Sequence, residues 1–165
     1  MNNGRHTTST EQQHMMREAI RLSMENVQTG RGGPFAAIIV KGGIIIARGT
    51  NLVVRTNDPT AHAEIAAIRE ACNNLHSFQL DGCDIYTTCE PCPMCLGAIY
   101  WARPERVFYG NTKQDAAEIN FDDSFIYEEL SKQAADRDIP MTQILHEEAL
   151  IAFKAWKENP NKIEY

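Results

Sequence analysis

Apolar residues recur at helical spacing between residues 11 and 27. Met15, Ala19 and Leu22 mark one stripe, and Met16, Ile20 and Met24 broaden it. The pattern predicts an amphipathic helix ended by Gly30. Residues 1–10 are polar, rich in Thr, Ser and Asn, and read as a mobile leader. After Gly32-Gly33-Pro34 the period changes. Residues 35–40 and 44–47 are short runs rich in Ile and Val, joined by Lys41-Gly42-Gly43. Such a pair predicts a β-hairpin. Its near-continuous apolar character predicts strands buried on both faces rather than on one.

Residues 49–59 read as a loop. Asn57-Asp58-Pro59-Thr60 then carries a helix-start signal, with capping side chains and a proline suited to the first helical position. A helix is predicted over 61–74, a strand over 84–88, and a helix over 92–102 begun by Pro91 and Pro93, since proline is tolerated in a first turn. A short strand is predicted at 106–109, helical segments within 112–138, a fifth strand at 140–145, and a last helix at 147–156. Some thirty residues separate the fourth strand from the fifth, enough for a helical crossover to a parallel neighbour. The order α-β-β-α-β-α-β-α-β-α predicts an α/β fold, a three-layer α/β/α sandwich around one mixed five-stranded sheet. No internal repeat and no long linker interrupts it, so residues 11–165 read as a single domain.

Composition adds exclusions. The chain has 165 residues, 43% hydrophobic and 23% charged, which is ordinary for a globular protein. The longest apolar run, at 35–40, is six residues, too short to span a membrane. Residues 1–5 lack the apolar core of a secretory signal, which makes the cytoplasm the expected compartment. A net charge of −6 offers no general attraction to phosphate backbones and counts against a nucleic-acid substrate, though a local basic patch stays open. The five cysteines are an odd number crowded into one third of the chain, which favours metal ligation over a disulfide framework.

The chemistry concentrates in His62-Ala63-Glu64 and Pro91-Cys92-Pro93-Met94-Cys95. Imidazole nitrogen and thiolate sulfur suit Zn²⁺, and three protein ligands leave the fourth tetrahedral position open, as in catalytic zinc sites. Cys92 and Cys95, three apart at a predicted helix start, face one way, where the helix dipole favours thiolate. Glu64 lies off the His62 face but can still reach a water at the open position and move its proton. His-x-Glu followed by Pro-Cys-x-x-Cys is the zinc deaminase signature. Cys89 extends the cysteines to Cys-x-x-Cys-x-x-Cys, so a closed structural site with Cys89 in place of His62 is the competing reading. Its place at a strand end points it elsewhere.

Pro59-Thr60-Ala61-His62-Ala63-Glu64 and Cys89-Glu90-Pro91-Cys92-Pro93-Met94-Cys95 resemble the cytidine deaminase-like superfamily. Gly32-Gly33-Pro34-Phe35, Thr56-Asn57-Asp58-Pro59, the stretch from Leu96 to Pro104, Phe121-Asp122-Asp123-Ser124-Phe125-Ile126-Tyr127 and the final Tyr165 are similar to one branch, the small bacterial guanine deaminases. The likeness covers roughly residues 15–165. It implies zinc-dependent hydrolysis of guanine at C2 to xanthine and ammonia, with His62, Cys92 and Cys95 as ligands and Glu64 as proton shuttle. It further implies Phe35, Asn51, Ala63, Asp123 and Tyr165 at the substrate, Asp123 with a catalytic part as well. It implies a homodimer, in which the segment 146–165 closes over the active site of its own or the partner subunit. Taken without the resemblance, Phe35 equally suits core packing, Asn51 a turn, Asp122-Asp123 a helix cap, Tyr165 a frayed end, and Trp101 the core or a dimer contact.

Two further substrate classes stay in play. Plant guanosine deaminases are similar through the middle of the chain, so the nucleoside, or another small aminated ring, is an alternative. A tRNA adenosine deaminase shares the motif but needs an electropositive surface. A non-catalytic zinc module has no use for a carboxylate at Glu64.

Overall fold

A computed structural model describes residues 9–164. It packs as two compact units, one running to Asp123 and the other from Ser124 onward. The first unit holds helix α1 (Ser9–Gln28), strands β1 (Ala36–Lys41) and β2 (Ile44–Thr50), and helices α2 (Val53–Thr56) and α3 (Ala63–Leu75). Strand β3 (Cys83–Cys89), helix α4 (Pro93–Ala102), strand β4 (Arg106–Asn111) and helix α5 (Lys113–Glu118) complete it. The second unit carries α6 (Ser124–Ser131), a 3₁₀ turn (Ala134–Asp136) and α7 (His146–Glu158). Helix α1 takes in residues 9 and 10; the rest of the expected leader, residues 1–8, lies outside the described residues, as does Tyr165.

The sheet is mixed, in the order β2-β1-β3-β4. β1 runs antiparallel to β2 and to β3, while β3 and β4 are parallel. The described sheet has four strands, not five. The segment expected to form the fifth, 140–145, is irregular and exposed throughout. Its apolar residues Met141, Ile144 and Leu145 matched a strand pattern, but Pro140 lacks a ladder donor and Leu145 takes a left-handed φ of 53°. A short apolar run does not by itself specify a strand.

Burial of β1 on both faces agrees with its near-continuous apolar run, and every residue of β3 is buried. β2, expected to be buried in the same way, is the edge strand and leaves Ile44 and Arg48 exposed. Alternate residues serve two cores. Ile38, Val40 and Tyr86 pack with Met15 and Ala19 of α1. Ala37, Ile39 and Ile85 pack with Ala63, Ala67 and Ala71 of α3 and with Ile99 and Ala102 of α4. The alanine stripe, spaced four apart on α3, lets that helix lie close on the sheet. At Gly49 of β2 the approach is so close that a Cβ would sit 2.1 Å from the Ala63 carbonyl oxygen and 2.6 Å from Ala67 N. Arg106 fastens the parallel pair. Its Nε and Nη2 donate to the two carboxylate oxygens of Asp84, its register partner, at 2.9 and 2.7 Å. Such fork-on-fork pairs are directional as well as strong.

This topology gathers chain ends at one side of the sheet. Ala36 at the start of β1 pairs Thr50 at the end of β2, and Ala37 pairs Thr87 near the end of β3. Phe35, Asn51 and Cys89 therefore share one sheet end. The carboxyl end of the parallel strands is also where α/β folds place ligands.

Candidate metal and substrate site

His62 and Cys92 are the N-cap residues of α3 and α4, each with extended backbone, and neither side chain makes a capping hydrogen bond. Pro93 fills the first position of α4, where its missing N–H costs nothing. Cys95 follows one turn on, buried. The His62 Nδ1 lies 3.5 Å from Cys92 Sγ and 3.5 Å from Cys95 Sγ. All three donor atoms lie within 4.8 Å of one another, the one such His/Cys/Asp/Glu group among the described residues. Zn–S near 2.3 Å and Zn–N near 2.0–2.1 Å at a tetrahedral angle require an N···S separation of about 3.5–3.6 Å. The donor set thus fits a tetrahedral Zn²⁺ in both chemistry and spacing.

Electrostatics agree. The Cys95 thiol and the His62 ring draw Cys92 well below the ordinary thiol range, toward thiolate, against the effect of burial. The hydrogen bond with Cys92 raises His62. Cys95 is raised, first by its hydrogen bond to Cys92 and then by burial.

Glu64, in the first turn of α3, is 6% exposed. Its Oε2 lies 3.4 Å from Cys95 Sγ, and its Oε1 accepts from the Thr87 hydroxyl at 3.0 Å. Burial lifts the Glu64 carboxyl above its ordinary value, partly opposed by hydrogen bonds. Thr87 was not singled out in the sequence. A threonine in an unbroken buried strand carries no mark of its role; only its register opposite Ala37 aims it at the site end.

Cys89 stands apart from the three donors. Its Sγ faces the Thr112 carbonyl oxygen at 3.6 Å, and burial first, then the charges of Glu64 and Asp123, push its thiol up to about 11. Asp123 is half-buried and raised, first by burial and then by the nearby Cys92 sulfur. Its carboxylate is therefore within electrostatic reach of the donor cluster.

Phe35 and Asn51, also marked in the sequence, lie at the same end of the sheet. Phe35 is half-buried and meets Phe121 edge-on, ring centroids 4.9 Å apart and planes at 87°. Asn51 is buried; its Oδ1 accepts from Val53 N at 3.4 Å, a local turn contact, and its Nδ2 makes no hydrogen bond among the described residues. Its backbone N–H donates to the Phe35 carbonyl at 3.0 Å, so these two positions are physically tied. Ala63 is fully buried between His62 and Glu64.

Comparison with known proteins places this geometry. Residues 9–111 match the family described as the cytidine and deoxycytidylate deaminase zinc-binding region, and the chain belongs to that family of zinc-dependent deaminases. The guanine deaminase of Bacillus subtilis (strain 168) is 57% identical over 150 residues, 91% of this chain and 96% of that protein. The crystal structure of guanine deaminase from Bacillus subtilis superposes with a TM-score of 0.90 at 53% identity, over 100% of this chain and 99% of that one. A guanine deaminase structure from Nitrosomonas europaea gives a TM-score of 0.65 at 34% identity, over 72% of this chain and 68% of that one. The tRNA-specific adenosine deaminase of Aquifex aeolicus (strain VF5) is 42% identical over 97 residues, 59% of this chain and 64% of that protein.

Proposed function

We propose that this protein hydrolyses guanine to xanthine and ammonia. The observation that carries the reaction type is the buried Glu64 carboxylate set against the His62, Cys92 and Cys95 donors. The choice of guanine is supported by the end-to-end likeness to the Bacillus subtilis enzyme, whereas the tRNA adenosine deaminase matches 59% of the chain. The net charge of −6 also disfavours a tRNA substrate.

His62, Cys92 and Cys95 would hold the Zn²⁺. The bound ion supplies a water of lowered pKa at its open position. Glu64 accepts a proton from the attacking water and donates it to a ring nitrogen, then takes the remaining proton from the new C2 hydroxyl and delivers it to the departing amine. A C–O bond forms at C2 and the C2–N bond breaks, so water is consumed and ammonia released. Thr87 donates to Oε1 and thereby orients the carboxylate with Oε2 toward the donors. Asn51 presents its Nδ2 to the edge of the base, and Phe35, backed by Phe121, packs on its face. Asp123 accepts from guanine N–H groups, and Ala63 contributes a wall small enough for close approach. Tyr165 is assigned to the substrate by the family likeness, and removal of residues 160–165 should impair turnover with the fold retained.

The chain also forms a homodimer in this reading. Helix α4 contains no charged residue, yet Tyr100 is 75% and Trp101 65% exposed, with Leu96 beside them. An uncharged apolar face matches a second copy of itself across a two-fold axis.

Ammonia release measured over guanine, guanosine, adenine, cytosine and tRNA tests the substrate. Guanine should be turned over fastest; preference for guanosine or tRNA would sink the proposal.

A further inference from the structure

Helix α1 holds a buried amide that the chemistry above does not use. Asn26, 2% exposed, donates from Nδ2 to two carbonyl oxygens on separate loops, Gly33 O at 2.9 Å and Asn51 O at 3.0 Å. Its Oδ1 is buried with no hydrogen-bond partner among the described residues. An unsatisfied buried acceptor is unfavourable and calls for a reason. Two acceptors facing one amide fix the side chain with its nitrogen toward them, so the orphaned oxygen follows from the bridging contact.

The bridge closes a ring. Asn26 ties Gly33 to Asn51, and the Asn51 N–H returns to the Phe35 carbonyl. Phe35 N in turn donates to Gly33 O at 2.8 Å. Three of its four links run through the backbone of Phe35 or Asn51, the two residues assigned to the face and edge of the base. The fit leaves no slack: a Cβ on Gly32 would sit 2.1 Å from the Asn51 carbonyl oxygen and 3.1 Å from Asn26 Nδ2.

We infer that Asn26 is a positioning residue for base recognition, holding the Phe35 and Asn51 loops in the one register that presents a ring face and an amide edge to a purine. It touches neither substrate nor ion. The inference rests on the assignment of Phe35 and Asn51 to the base.

Asn26→Asp is nearly isosteric but sets an acceptor against two carbonyl oxygens; Asn26→Ala removes the bridge without that repulsion. Either variant, at one zinc per chain, should raise KM for guanine by at least about tenfold, with the loss falling on KM more than on kcat. The Kd for xanthine, measured calorimetrically, should rise in parallel. A merely structural role would lower Tm and leave both values near wild type well below Tm. KM and Kd within about twofold of wild type in whichever variant folds would overturn the inference. Asn51→Ala separates the two claims. If it raises KM while the Asn26 variants do not, only the positioning role fails; if it leaves KM unchanged, the base-binding assignment fails and takes this inference with it.

Discussion

Carboxyl and thiol groups crowd one small volume, and their environments assign them different work. Glu64 is buried and raised, Cys92 is drawn toward thiolate, and Cys89 is held as a thiol. Replacing Glu64 by Gln keeps the shape and the Thr87 contact but removes the proton carrier. Turnover should fall by roughly 10²–10⁴-fold, the range general acid–base catalysis supplies, with zinc still bound. Asp123→Ala should lower kcat/KM for guanine by at least about tenfold, since a charge-assisted hydrogen bond is worth roughly 1.5–3 kcal/mol. Near-wild-type turnover would remove Asp123 from the site. Cys89 gives a pH test. With its thiol at about 11, only about one molecule in a thousand is thiolate at pH 8, against roughly a quarter for a free cysteine. Iodoacetamide should label Cys89 far more slowly than a model thiol at pH 8, and faster as pH rises toward 11, as peptide mapping would show.

At the scale of elements, the close seating of α3 on β2 is the most sensitive contact. Gly49→Ala drives a methyl into the Ala63 carbonyl, and backbone cannot rotate away as a side chain can. Overpacking of this kind costs about 1–3 kcal/mol, so Tm should drop by at least about 2 °C. Activity should drop further than stability explains, because α3 carries His62 and Glu64. Most elements could be read from the chain because their signals were local. The α1 stripe, the paired Ile/Val runs and the proline at the start of α4 each announce themselves within a few residues. The Asp58-Pro59 signal misplaced the start of α3: Asp58 caps a turn through Thr60, and the helix begins at Ala63 after His62. The candidate metal donors His62, Cys92 and Cys95, and the carboxylate of Glu64 beside them, were legible for the same reason: they lie in two short motifs. The fifth strand failed because strand identity needs a partner, and residues 140–145 have none in the described sheet. Helix α2 was missed because four residues carry no period. Thr87 and Asn26 were invisible for a different reason. Their roles depend on register between segments far apart in sequence, 23 residues from Glu64 to Thr87 and 25 from Asn26 to Asn51.

For the molecule as a whole, no helix among the described residues is long and apolar enough to cross a membrane. The exposed face of α4 predicts association instead. Light scattering at micromolar concentration should give twice the 18.6 kDa chain mass, and Tyr100→Glu with Trp101→Glu should return the single-chain value. A wild-type monomer would refute the dimer. The two uncapped helix starts have a consequence of their own. At α3 and α4 the residue that would ordinarily tie down the first-turn N–H groups is engaged with the metal donors instead. Anchoring of His62 and Cys92 then stands in for capping, so the ion secures two helix ends as well as a reaction. Stripping it with a chelator should speed amide hydrogen exchange at residues 63–65 and 94–95, while the fully buried β3 stays protected. Loss of metal would thus be felt first as fraying at two helix ends, with the sheet beneath them intact.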